Sequence, residues 1–249
     1  MPYPERRLRR LRRTPALRRL VAEHHVRIDD LVAPLFVKQG IDAPEPVVSM
    51  PGVVQHTQES LRKEVRALAD LGVPAVMLFG IPEHKDARGS QADATDGVVQ
   101  VALRTLRDEV GDATVLMADD CLDEYTDHGH CGLLTADGEI DNDATLERYA
   151  TIAVAQAGAG ADVIAPSGMM DGQVGAIRSA LDGSGYSHVS ILAYSPLTWY
   201  AATGTSNAPR TWAITSRYAS AGLTITMSAP SSMSSATSLI ASREFPASI

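Results

Sequence analysis

From residue 31 onward, short apolar runs alternate with amphipathic stretches, and this rhythm limits the fold more than any other feature of the chain. The runs read LVAPLFV (31–37), AVMLFG (75–80), TVLMAD (114–119), DVIAPS (162–167) and SILAYS (190–195), with LTITMS (223–228) a weaker sixth. Between them apolar residues recur with a period near 3.6. Leu61, Val65, Leu68 and Leu71 mark one such face, and 98–110, 144–157 and 172–181 behave likewise. Thr57 or Ser60 is positioned to cap the first of these helices, and Asn142 or Asp143 the third. Apolar strands separated by helices predict a parallel sheet buried on both faces. Small and polar residues gather where the strands end: Gly80, Asp119, Asp120, Ser167, Tyr194 and Ser195. A (β/α)8 barrel builds its site at that end, and the chain has neither a G-x-G-x-x-G nor a Walker loop. The expected fold is therefore α/β, of the (β/α)8 TIM-barrel type.

Charge divides the chain further. Residues 1–27 hold nine Arg against Glu5 and Glu23, so this arm is +7, and the net charge of −8 leaves −15 on the remainder. Such an arm invites nucleic acid, but Tyr3 is its only aromatic residue and no stacking platform accompanies the arginines. The better expectation is an arm, residues 1–30, extended over the acidic surface of its own body or of a sister subunit. No run approaches the ~18 apolar residues that a membrane span needs, and no apolar stretch follows the arginines as a targeting segment requires. Two cysteines ten residues apart make no secreted disulfide framework. A cytoplasmic protein without nucleic-acid or membrane partners is expected. Residues 31–195 form the barrel portion. Residues 196–249 differ in composition, with eleven Ser and four charges against nine Ser and 48 charges in the first 195 residues.

One segment concentrates chemistry. ADDCLDEYTDHGHCG at 118–132 gathers Cys121, Asp123, His128, His130 and Cys131 in a loop directly after a strand. Thiolates with a carboxylate or imidazole suit zinc, and three ligands would leave a position open for water or substrate. The plainer alternative is a loop of half-buried cysteines and solvated acids and histidines, since the C-x-x-C pairs of structural zinc sites are missing.

This loop resembles the metal loop of the porphobilinogen synthase (5-aminolevulinate dehydratase) family. The likeness extends through RRLRRTPALRRLVAE (9–23, within Arg6–Glu23), SMPGVVQHT (49–57), VMLFGIP (76–82), DNDATLERYA (141–150) and SGMMDGQVGAIR (167–178). It runs over residues 5–195 and becomes patchy over 196–249. What the resemblance implies is a (β/α)8 barrel whose N-terminal arm embraces a neighbour, in a homo-oligomer that is commonly an octamer. The implied reaction condenses two 5-aminolevulinate molecules to porphobilinogen with loss of two waters, in tetrapyrrole (heme) biosynthesis. By the same resemblance Cys121 and Cys131 match the outer metal ligands and Asp123 replaces a middle cysteine, which implies zinc, with magnesium the alternative. Asp119 matches the active-site carboxylate, Ser167 the polar residue closing the fourth strand, and Arg210 a substrate-binding arginine of the lid.

The two Schiff-base lysines of the family do not carry over. Their positions fall on Leu197, two residues after Ala193–Tyr194–Ser195, and on Ala229, between Met227 and Pro230. Of 22 basic residues 19 are Arg, and the three lysines are Lys38, Lys63 and Lys85. The chain also stops where the family continues through two further strands, so about six strands of eight are expected, with the edges of the first and sixth exposed. Two readings follow. One is an active enzyme of the family. The other, which the missing amines favour, is a non-catalytic relative that binds metal, 5-aminolevulinate or a full-length paralogue.

Overall fold

A computed structural model describes residues 4–194. Seven strands build one sheet: β1 (Val32–Lys38), β2 (Glu45–Pro46), β3 (Val54–His56), β4 (Ala75–Ile81), β5 (Val115–Asp120), β6 (Val163–Pro166) and β7 (Ser190–Ile191). Their spatial order is β2-β3-β1-β4-β5-β6-β7. All neighbours are parallel except β2 on β3. Among the described residues the sheet is open, which fits an incomplete (β/α)8 barrel; the strand expected at 223–228 lies outside them.

The five long apolar runs become β1, β4, β5, β6 and β7, and the helices fall where the 3.6 period put them. They are α1 (Pro15–Leu20), α2 (Gln58–Asp70), α3 (Val98–Val110), α4 (Asn142–Gly158) and α5 (Gln173–Gly183). Thr57 caps α2, its side chain accepting from Ser60 N at 3.0 Å. The cap of α4 differs from expectation. Asp141, rather than Asn142 or Asp143, accepts from Ala144 N at 3.1 Å, because the capping oxygen must reach a donor three residues on. The expected free edge of the first strand is also corrected. Residues 45–56 fold back, and Gln55 and His56 of β3 pair with Phe36 and Val37 of β1.

Strand alternation sorts side chains into two layers. Leu35, Val37, Val76, Leu78, Leu116, Ala118 and Ile164 face the helices, against Leu61 and Val65 of α2, Leu103 and Leu106 of α3, Ile152 of α4 and Ile177 of α5. The opposite face carries Met77, Val163, Ala165 and Leu192, with Phe79, Met117 and Tyr194 packed on them.

Arginines fasten the helix layer by gripping several acceptors at once. Arg107 Nη1 donates to Gly111 O and Nη2 to Gly160 O, while Nη2 also meets Asp162. Arg178 holds Val189 O and Tyr186 O, bracing the turn into β7. Arg62 and Arg66 of α2 share Glu109 of α3. Arg148 of α4 is the most buried of these clamps: it binds both Asp93 oxygens at 2.8 and 2.9 Å and reaches Gly89 O.

The arm packs least. Residues 4–30 include no buried side chain, and Leu8, Leu11, Leu20, Val21, Val26 and Ile28 are exposed. Thr14 caps α1 through Leu17 N. No helix among the described residues is long and apolar enough to cross a membrane.

Removing one partner from a fully buried ion pair costs about 3–5 kcal/mol, and the Arg148–Asp93 pair is partly buried. Arg148→Ala should therefore destabilise the chain by less than that, about 1–3 kcal/mol in urea unfolding. A loss below about 1 kcal/mol, the range of an exposed pair, would show that Asp93 is well solvated without it.

Candidate metal and carboxylate site

The site grows from the end of β5. Pairing with β4 on one side and β6 on the other sets Asp119 opposite Ala165 and Asp120 opposite Pro166. Adjacent residues of a strand point to opposite faces, so the two carboxylates part company. Asp119 turns toward the inner face, where the Tyr194 hydroxyl donates to its Oδ1 and Ser167 also hydrogen-bonds it. Asp120 enters the helix layer, fully buried, and Arg148 is the cation that offsets it.

Burial pushes the Asp119 carboxyl up to about 7, against the opposing pull of the Tyr194 and Ser167 hydrogen bonds. Burial likewise raises Asp120, and the neighbouring Asp119 charge adds to the effect. Glu124, raised by the same desolvation, accepts from Gly80 N at 3.2 Å. Gly80 itself has no room for a Cβ, because the Tyr125 hydroxyl and Val99 occupy that space.

The loop after β5 then returns so that Cys121 Sγ, an Asp123 carboxylate oxygen and Cys131 Sγ lie within 4.8 Å of one another. Cys121 is buried, Cys131 half-buried and Asp123 exposed, so the cluster opens to solvent on the carboxylate side. The two sulfurs share a hydrogen bond, which pushes the Cys121 thiol up and draws the Cys131 thiol down. Both cysteines are free. Two convergent sulfurs and a carboxylate match the donor set of zinc better than that of magnesium, which takes oxygen ligands.

The structure brings Asp119, Ser167, Cys121, Asp123 and Cys131 together at one end of the sheet. His128 and His130 stand apart from the sulfur cluster and shape the loop instead. His128 Nδ1 accepts from His130 N at 3.1 Å, which leaves Nε2 to donate to Ala87 O at 3.4 Å. Leu197, Arg210 and Ala229 lie outside the described residues. Sequence reasoning missed the buried polar side chains of α4. Thr145 Oγ1 accepts from Leu133 N at 2.9 Å, Tyr149 donates to Cys131 O at 2.6 Å, and Gln156 Nε2 donates to Asp119 O at 2.7 Å. Their spacing along one helix face was the available signal.

An unfolded aspartate ionises near 3.8 and the folded Asp119 near 7. Between those values the folded chain keeps a proton that the unfolded chain has lost, so stability falls as pH rises through the window. Metal-free protein should lose thermal stability between about pH 4 and pH 7, the interval these values bracket, and Asp119→Asn should lose less. The difference between the two proteins separates Asp119 from His56, whose burial lowers its pKa and acts in the opposite sense. Identical pH profiles would show that Asp119 ionises normally in the fold.

Comparison with known proteins identifies the family. The family model described as Delta-aminolevulinic acid dehydratase matches residues 5–203. The delta-aminolevulinic acid dehydratase of Mycobacterium leprae is 58% identical over 195 residues, which cover 78% of this chain and 59% of the relative. That of Mycobacterium tuberculosis is 57% identical over the same shares of the two chains. The crystal structure of the Toxoplasma gondii enzyme in complex with the reaction product porphobilinogen superposes with a TM-score of 0.72 at 38% identity, covering 76% of this chain and 54% of that one. The chain thus spans little more than half the length of the relatives it matches. With a family model over most of its residues and relatives above half identity, the chain belongs to the delta-aminolevulinic acid dehydratase family.

Proposed function

We propose that this chain keeps the metal loop and the carboxylate side of a 5-aminolevulinate site but does not carry out the family's condensation to porphobilinogen. The observation that carries this reading is the lack of an amine where the chemistry needs one. A Schiff base forms when a primary amine attacks a carbonyl carbon. The 249 residues contain no lysine after Lys85, and the resemblance aligns the two reacting positions with Leu197 and Ala229, which offer only hydrocarbon. Of the lysines present, Lys38 ends β1 and is held by Glu45 at 2.5 Å. Lys63 sits on α2 beside Glu59.

The remaining groups retain distinct tasks in this proposal. Cys121, Asp123 and Cys131 would hold zinc, which when bound supplies Lewis-acid polarisation of an oxygen ligand. Asp119, with a pKa near 7, holds or releases a proton close to neutral pH, and Tyr194 and Ser167 fix where that proton lies. Arg210 would meet a substrate carboxylate. The chain is organised as an arm (1–30), a barrel portion (31–195) and a divergent portion (196–249), in the cytoplasm. The exposed leucines and valines of the arm, among its arginines, favour docking on the acidic body of a sister subunit, with a full-length paralogue as the alternative host.

Identity above half with named dehydratases is the observation behind the competing reading, an active enzyme. Borohydride added with labelled 5-aminolevulinate separates the two. No covalent label and no porphobilinogen are expected; label on Lys38, or product formation, would overturn the proposal. For the arm, light scattering of a chain lacking residues 1–27 should give a smaller assembly than the full chain, and an unchanged mass would count against the docking role.

A further inference from the structure

The polar face of α4 is unusual for a helix packed on a sheet. Thr145, Tyr149 and Gln156 are all fully buried, on the side that also carries Ile152 and Ala153. Spacings of four and seven residues align them in one stripe. Buried polar groups persist when each finds a partner, and the partners here are three points of the same site: Leu133 N, Cys131 O and Asp119 O.

Tyr149 occupies the middle of the stripe and touches the most. Its hydroxyl donates to the Cys131 carbonyl at 2.6 Å and stands 3.8 Å from Cys121 Sγ. Its ring fills the space where residue 168 would otherwise carry a side chain, so that a Cβ on Gly168 would fall inside the ring and hydroxyl. Gly168 adjoins Ser167, which contacts Asp119. One side chain therefore bears on both cysteines of the loop and on the turn that carries the inner-face hydroxyl.

The geometry points to Tyr149 as the positioning residue of the metal loop: by holding the Cys131 carbonyl and backing the Cys121 sulfur, it sets the separation of the two thiolates for zinc. This rests on the metal reading of Cys121, Asp123 and Cys131. The two limbs of the loop are otherwise tied by the Thr126 hydroxyl, which donates to His130 O at 2.9 Å and reaches neither sulfur, and a ligand left to find its own place binds metal more weakly. Groups that orient metal ligands from behind typically contribute about 10- to 100-fold in affinity. Thr145, one turn earlier, anchors the next segment of the same loop at Leu133.

Cobalt(II) titration of the full chain tests this, since thiolate-to-cobalt absorption reports the sulfurs directly and needs no turnover. Wild-type chain should develop that absorption, and Tyr149→Phe should bind cobalt and zinc about 10- to 100-fold more weakly, with an altered band and an unchanged far-ultraviolet circular dichroism spectrum. Equal affinity and an identical spectrum in Y149F would overturn the role of Tyr149 alone. Absence of thiolate absorption in the wild-type chain would overturn the metal reading and this inference together. Gly168→Ala is the second variant should Y149F fail to fold. Its methyl group would displace the Tyr149 ring and hydroxyl without altering either cysteine and should weaken binding in the same sense, whereas wild-type affinity and spectrum in G168A would overturn the inference.

Discussion

Pairing of β5 on both sides is the constraint from which the site follows. Hydrogen-bonded to β4 and β6, the strand has no freedom to rotate, so two consecutive aspartates must leave it in opposite directions. One enters the inner layer beside Tyr194 and Ser167, the other the helix layer near Arg148. Both are desolvated, and burying two adjacent acids is tolerable only where hydrogen bonds, a cation or a proton offsets each. The residues just past β6 and β7 supply hydrogen bonds for Asp119, and Arg148 of α4 supplies the cation for Asp120. The loop that follows inherits its starting point and direction from this pair.

Much of that arrangement was readable in the residues. Five apolar runs became strands of the sheet because β-branched and aliphatic residues fill a layer buried on both faces. The convergence of Cys121, Asp123 and Cys131 also followed from a short loop that begins at a strand end. Other parts left no trace in hydrophobic pattern. β3 has three residues, one of them Gln55 and another His56, so it forms no apolar run; it exists because β1 offers an edge. The stripe on α4 is polar, so it weakens the very periodicity by which the helix is recognised. Its meaning depends on Cys131, Leu133 and Asp119 arriving beside it, which is tertiary information.

The family assignment and the question of turnover rest on different atoms. Identity with the mycobacterial relatives extends over 195 residues, and a shared fold persists whatever the chemistry does. In the proposed reading, turnover depends on two amines. A chain can thus share a family's architecture over the span it covers independently of whether it carries the nucleophile that turnover needs.

The arginine clamps bear on the same point. Arg62, Arg66, Arg107, Arg148 and Arg178 each engage acceptors through more than one nitrogen, a grip that the single ammonium of lysine does not reproduce in planar form. A guanidinium stays protonated across the physiological range and is inert toward ketones. The composition that leaves the chain short of carbonyl-reactive amines is therefore also what ties its helices to one another and to the turns between elements. Mechanical firmness and chemical quietness here are two consequences of one choice of cation.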